Sequence, residues 1–204
     1  MMDFSGIDTW IFDVDETLYP HGSPLGGMIA ARLAEFAATE PGLGALSATE
    51  REELCARYSS AYGTMLRALR TLHPSLDLAA FVPTITRIDY GVLAPDARLR
   101  AALEALPGRR LLATNAPRAH AGAVVRALGL DGVFQGVQSV DSYPDFVSKP
   151  AAEYYRRFAR DFGVEPSATV MFDDSLKNLA APAILGWRTA LVNDNLLELL
   201  PPAG

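Results

Sequence analysis

Residues 13–17, "DVDET", place Asp13, Asp15 and Glu16 directly after the apolar run that begins at Trp10. A carboxylate at the end of a buried strand costs several kcal/mol unless something compensates it, roughly the penalty of burying an unpaired ion. A second acidic pair, Asp173-Asp174, follows another apolar run, with Asn178 a helical turn beyond. Two carboxylates about 4 Å apart repel by roughly 4 kcal/mol at an effective dielectric of 20. A divalent cation is the simplest remedy, and an all-oxygen carboxylate set suits Mg²⁺. His21, His73 and His120 lie far apart in sequence with no zinc spacing, so a thiolate or imidazole metal site is not expected.

Beside a bound cation, a carboxylate can attack phosphorus, and Asp13 is the candidate nucleophile. Asp15, two residues later on extended chain, points the same way, where it could protonate a leaving oxygen and then activate water. Thr114 offers a hydroxyl and Asn115 a backbone N–H near a helix start, both suited to phosphoryl oxygens. Lys149, in the loop "DFVSKP", would offset the negative charge that accumulates at the nucleophile. Each feature alone has a plainer explanation: Thr114-Asn115 or Asp173-Asp174-Ser175 as helix caps, Lys149 as a surface lysine. Glu16 is expected to face away, in the turn that follows.

These residues need elements to hold them. Apolar runs suited to buried parallel strands occur at Trp10–Val14, Arg110–Ala113, Val133–Val137, Thr169–Phe172 and Thr189–Val192. Helical patterns separate most of them: Leu99–Leu106, a segment from Pro117 to a stop at Gly129, and "AAEYYRRFARDFG" ending at Gly163. That alternation predicts an α/β fold, a Rossmann-like parallel sheet covered by helices on both faces. The acids, Thr114-Asn115 and Lys149 all follow strands, where open α/β sheets bind ligands. Residues 21–92 break the alternation and predict an all-helical insertion after the first strand, leaving 1–20 and 93–204 as the core. Within it "SATE", 47–50, matches a capping box, and one long helix is expected through Tyr58 and Leu66 to Pro74. Tyr58, Tyr62, Thr64 and Arg67 fall near one face of it. That stripe reads first as packing; as a binding surface it would offer Tyr62 and Arg67 to a substrate.

The 204 residues carry a formal net charge of −6, and 50% are apolar, which describes an ordinary globular chain. The acidic balance argues against a nucleic-acid polymer or an anionic membrane as partner. The single Cys55 fits a reducing compartment and reads as a helix packing residue. No apolar stretch has signal-peptide or membrane-span length, so a cytoplasmic monomer or homodimer is expected.

A lone DxDxT string is a weak signal, but four motifs in order are not: "DVDET", "ATN", "SKP" and "DDSLKN". With them the chain resembles a haloacid dehalogenase superfamily phosphohydrolase over nearly its whole length. The resemblance implies nucleophile Asp13, acid/base Asp15, phosphate contacts Thr114 and Lys149, and metal contacts from Asp13, Asp15 (through its carbonyl), Asp173 and Asp174, with Asp174 the more direct of the acidic pair. It implies Mg²⁺ as cofactor and a small-molecule phosphate ester as substrate. "FDVDETLYP", "YGTMLRAL", "IDYGVLAPD" and "DDSLKNLAAPAILGWRTALV" further resemble the pyrimidine 5′-nucleotidase branch, with a small helical cap after motif one; Glu16, Ala116-Pro117 and Trp187 depart from its pattern. Alternatives are a phosphatase of a sugar phosphate or phosphoglycolate, a phosphomutase, a haloacid dehalogenase, or a non-catalytic phospholigand-binding module. Dehalogenation needs no acid at Asp15, which favours phosphate.

Overall fold

The sheet is built from the apolar runs seen in the sequence. A computed structural model describes residues 3–39 and 44–202; residues 1–2, 40–43 and 203–204, and with them the outer bounds of the expected core, lie outside the described residues. β1 (Thr9–Phe12), β2 (Arg109–Ala113), β3 (Gly136–Gln138), β4 (Thr169–Asp173) and β5 (Arg188–Leu191) form one sheet in the order β3-β2-β1-β4-β5. Every pairing is parallel, with Phe12 opposite Leu112 on one side and Phe172 on the other. The chain fills one side of β1 first and then crosses to the other. The switch point therefore lies between β1 and β4, beyond whose carboxyl ends a crevice must open.

Alternate residues of the strands go to opposite faces. Trp10, Phe12, Leu112, Val170 and Phe172 pack with residues of α5 (Ala97–Glu104), α6 (Arg118–Ala127) and α9 (Leu196–Leu199). Ile11, Leu111, Ala113 and Met171 pack with Tyr154, Tyr155 and Phe158 of α7 (Ala152–Phe162) and Leu179 of α8 (Leu176–Ile184). Both faces are thus sealed, as an all-parallel sheet requires. No helix among the described residues is long and apolar enough to cross a membrane.

Two sequence expectations change. The third strand begins at Gly136 rather than Val133, because the turn at Gly132 (φ +79°) sends the Val133 N–H back to the Leu130 carbonyl. Val133 and Phe134 pack on the core instead of pairing. The single long helix is also two helices, α2 (Ala48–Tyr62) and α3 (Met65–Leu72). Gly63, at φ +87°, caps the first, and the Thr64 side chain accepts from the Arg67 N–H to start the second. The capping box at Ser47 and Glu50 is formed as expected.

Between β1 and α5 the described residues hold α1 (Leu25–Thr39), α2, α3 and α4 (Leu78–Ile85), with no strand. Met65, Leu66, Leu69, Leu78, Phe81, Val82 and Ile85 form a separate cluster, with Cys55 against it. Phe146, from the loop that carries Lys149, is buried in that cluster and so ties the helices to the sheet's upper edge.

Candidate active site

Asp13 follows β1 directly, and its N–H donates to the Phe172 carbonyl, so the backbone ladder continues to the nucleophile candidate. Asp173 ends β4 on the opposite side of the switch point. Between them lies the Lys149 ammonium, 2.9 Å from Asp13 Oδ1 and 2.6 Å from Asp173 Oδ2. Lys149 and Asp173 are fully buried and Asp13 is 6% exposed, so this triad sits where an unmatched charge would be costly. Burial alone would lower the Lys149 pKa, but the Asp13 and Asp173 carboxylates more than offset it, and the ammonium stays charged. Burial raises the Asp13 carboxyl well above its ordinary value, against the pull of Lys149, and Asp173 and Asp15 push it further.

The surroundings hold this triad in one geometry. Asp173 Oδ1 accepts from the Ser175 N–H and from Asn178 Nδ2, both at 2.9 Å. Asn178 thus orients Asp173. Asn115 grips the Lys149 backbone at two points, with Oδ1 accepting from its N–H at 2.8 Å and Nδ2 donating to its carbonyl at 3.0 Å. Across from that carbonyl stands Gly63, where a Cβ would come within 2.6 Å of the Lys149 oxygen, so the break between α2 and α3 is what lets this loop close. Thr114 is fully buried, its hydroxyl oxygen accepting from the Ala116 N–H at 2.9 Å.

Asp15 is held differently. Its Oδ1 accepts from the Tyr19 hydroxyl at 2.6 Å and from His120 Nε2 at 2.8 Å. Burial would raise this carboxyl, but the hydrogen bonds from His120 and Tyr19, with Lys149 nearby, hold it below its ordinary range. Burial and the neighbouring Asp15 push the Tyr90 hydroxyl, on the far side of His120, up to about 12. Asp174, partly exposed, is raised first by burial and then by Asp173.

A cavity of about 260 Å³ opens over Asp13, Asp15, Lys149, Asn115 and Asp174. Its helical wall comes from α1 and the residues just before it: Ser23, Gly26 and Ile29. Tyr62 and Arg67 do not line it; Tyr62 lies at the end of α2 with its carbonyl 3.5 Å from the Ser148 hydroxyl. Glu16 does not face away. At φ +56° it turns its side chain onto the cavity, where it clusters with His21 and Asp174. His21 Nδ1 is 3.0 Å from Asp194 Oδ1, and that carboxylate is the main reason its imidazole is raised above the ordinary value.

Oxygen atoms of Asp13, Asp173 and Asp174 lie within 4.8 Å of one another with one ammonium among them. Three hard carboxylates around a single fixed cation leave a negative surplus that fits a hard divalent ion, as the sequence expected. His120 and Tyr19 are the site residues that sequence reasoning missed. A polar side chain beside Ala121 and Val124, on the buried face of α6, was the available signal for the first.

"Phosphate metabolism protein 8" of Saccharomyces cerevisiae is 25% identical over 195 residues, 87% of this chain; the chain spans 59% of that protein's length. An L-2-haloacid dehalogenase from Xanthobacter autotrophicus superposes with a TM-score of 0.55 at 20% identity, covering 91% of this chain and 77% of its own. A haloacid dehalogenase family enzyme from Bacteroides thetaiotaomicron gives 0.57 at 16% identity, over 98% and 96%. At these identities the two structures establish the fold. Residues 7–186 match the haloacid dehalogenase-like hydrolase family, and with a match over most of its length this chain belongs to that family.

Proposed function

We propose that this chain is a Mg²⁺-dependent phosphomonoester hydrolase working through an aspartyl phosphate on Asp13, with pyrimidine nucleoside 5′-monophosphates as its substrate class. The observation that carries the reading is Asp15: a carboxyl on the cavity wall, two residues from the nucleophile, with one oxygen pinned by Tyr19 and His120. A reaction that expels halide needs no such acid, whereas expelling an alkoxide does. The nucleotide preference rests on the motif resemblance and on a cavity roomy enough for more than a phosphoryl group. Residues 21–92 act in this reading as a cap over the core.

In the first half-reaction an Asp13 oxygen forms a bond to phosphorus as the bond to the ester oxygen breaks. The electron pair stays on the departing oxygen, which takes the proton from Asp15. A phosphoryl dianion beside Asp15 raises its carboxyl and so supports the protonated form at this stage. In the second half-reaction Asp15 takes a proton from water, the water oxygen bonds to phosphorus, and the Asp13–phosphorus bond breaks, restoring both acids. Lys149 stays charged and offsets the negative charge at Asp13. Asn115 offers its backbone N–H to the phosphoryl oxygens from the cavity wall, and Thr114, fully buried and off that wall, would offer its hydroxyl hydrogen from behind. Asp13, Asp174 and the Asp15 carbonyl would hold the metal, with Asp173 behind them; bound, it would neutralise phosphoryl charge.

The test is phosphate release with Mg²⁺ from UMP, CMP, AMP, sugar phosphates and phosphoglycolate. Highest kcat/KM on UMP or CMP is expected. Equal or better turnover of sugar phosphates or phosphoglycolate defeats the nucleotidase reading, and no phosphate from any ester defeats the phosphatase reading.

A further inference from the structure

We propose that His120 is a positioning residue for proton transfer at Asp15, an inference that rests on the phosphatase reading above. Its imidazole is 1% exposed and stands on α6, inside the core and outside the cavity wall. A buried histidine held only for packing satisfies its nitrogens on whatever is near. Here both nitrogens lie on one line of polar groups that ends at the acid: Nε2 is 2.8 Å from Asp15 Oδ1, and Nδ1 is 3.0 Å from the Tyr90 hydroxyl. That hydroxyl is in turn 3.3 Å from the carbonyl of Thr86, the residue that caps α4.

The line has a geometric consequence. An ionised carboxylate only accepts, so Nε2 carries the hydrogen in this pair. With Tyr19 at 2.6 Å as well, Oδ1 receives two donors from different directions, which fixes rotation of the carboxyl about its last bond. Among the described residues Oδ2 has no protein partner, and it is the oxygen left for the leaving group. The ring cannot swing away without giving up Tyr90 too. Because Thr86 and Tyr90 lie in the chain returning from the helical insertion to β2, the aim of Asp15 depends on how that return segment is seated.

The effect should be confined to the step that needs the proton. The comparison is kcat/KM on an alkyl phosphate, whose alkoxide must be protonated as it leaves, and on p-nitrophenyl phosphate, whose phenolate leaves without it. For His120→Leu we expect a fall of roughly 30- to 100-fold on the alkyl ester, the scale of misplacing a reacting group by about an ångström, and less than about threefold on the aryl ester. His120→Gln, which keeps a donor near the Nε2 position, should recover most of the loss. Asp15→Asn should show the same asymmetry, larger. Should His120→Leu fail to fold, His120→Gln and Tyr90→Phe carry the test, with Tyr90→Phe giving a smaller alkyl-selective loss.

Equal losses on both esters, or no loss on either, in variants that fold while Asp15→Asn retains its asymmetry, would overturn the role of His120 and leave the phosphatase reading standing. Wild-type protein that releases phosphate from neither ester would remove both.

Discussion

Replacing Lys149 by Met keeps the length of the stem and removes the ammonium, leaving Asp13 and Asp173 facing each other in a site where they are 6% and 0% exposed. At about 4 Å their repulsion is on the order of 4 kcal/mol for an effective dielectric of 20. Breaking a buried ion pair from one side costs about 3–5 kcal/mol by the same logic. In a chain of 204 residues each kcal/mol lowers Tm by about 2–4 °C, so Lys149→Met should melt roughly 6–20 °C below the wild type. The assay is thermal or urea unfolding at neutral pH in excess chelator, so that no divalent ion replaces the ammonium. Asp173→Asn should also destabilise, and the double variant should lose about 1–3 kcal/mol less than the sum of the two, because one partner of the broken pair is then neutral. Lys149→Met within about 1 kcal/mol of wild type, or strict additivity in the cycle, would refute the claim that this lysine compensates the two acids.

The remaining predictions concern the frame. Gly63→Ala should cost about 2 kcal/mol or more and impair activity, since its φ of +87° disfavours a side chain and its Cβ would sit 2.6 Å from the Lys149 carbonyl. Gly132→Ala, at φ +79° with nothing within 4 Å, should cost about 1 kcal/mol and leave activity unchanged; equal effects of the two on activity would show that Gly63 does not shape the Lys149 loop. Burial would raise Asp145, but the Arg157 fork at 3.0 and 2.9 Å overrides it and holds the carboxyl below its ordinary range. A depressed folded-state pKa adds stability above the unfolded value, about 3.9, and loses it as pH falls through the folded one. Asp145→Asn should therefore cost less than about 1 kcal/mol at pH 7 in urea unfolding, shrinking on acidification; a pH-independent difference would contradict the pairing.

What was readable in the sequence follows physical range. β1, β4 and their acids could be read because parallel strands buried on both faces are continuous apolar runs, and a charge at the end of one is conspicuous. Lys149 was readable only with the other motifs, since its partners lie far along the chain. The α2–α3 break was a local signal, Gly63-Thr64, outweighed by apolar periodicity running through it. Glu16 departs from its expected direction because that direction depends on its own left-handed backbone, where extended chain would send the side chain elsewhere. His120 was out of reach for a different reason: its partner Asp15 is 105 positions away, and only the docking of α6 against the end of β1 brings them together.

In the proposed reaction Asp13 carries the phosphoryl group. Rapid acid quench of the wild-type protein during turnover of a phosphate ester with Mg²⁺, followed by peptide mass mapping, tests it most directly. One added phosphoryl group, labile to hydroxylamine, is expected on the peptide containing Asp13, with neither adduct nor turnover in Asp13→Asn. A phosphoryl group on another residue, or wild-type turnover by Asp13→Asn, would contradict it.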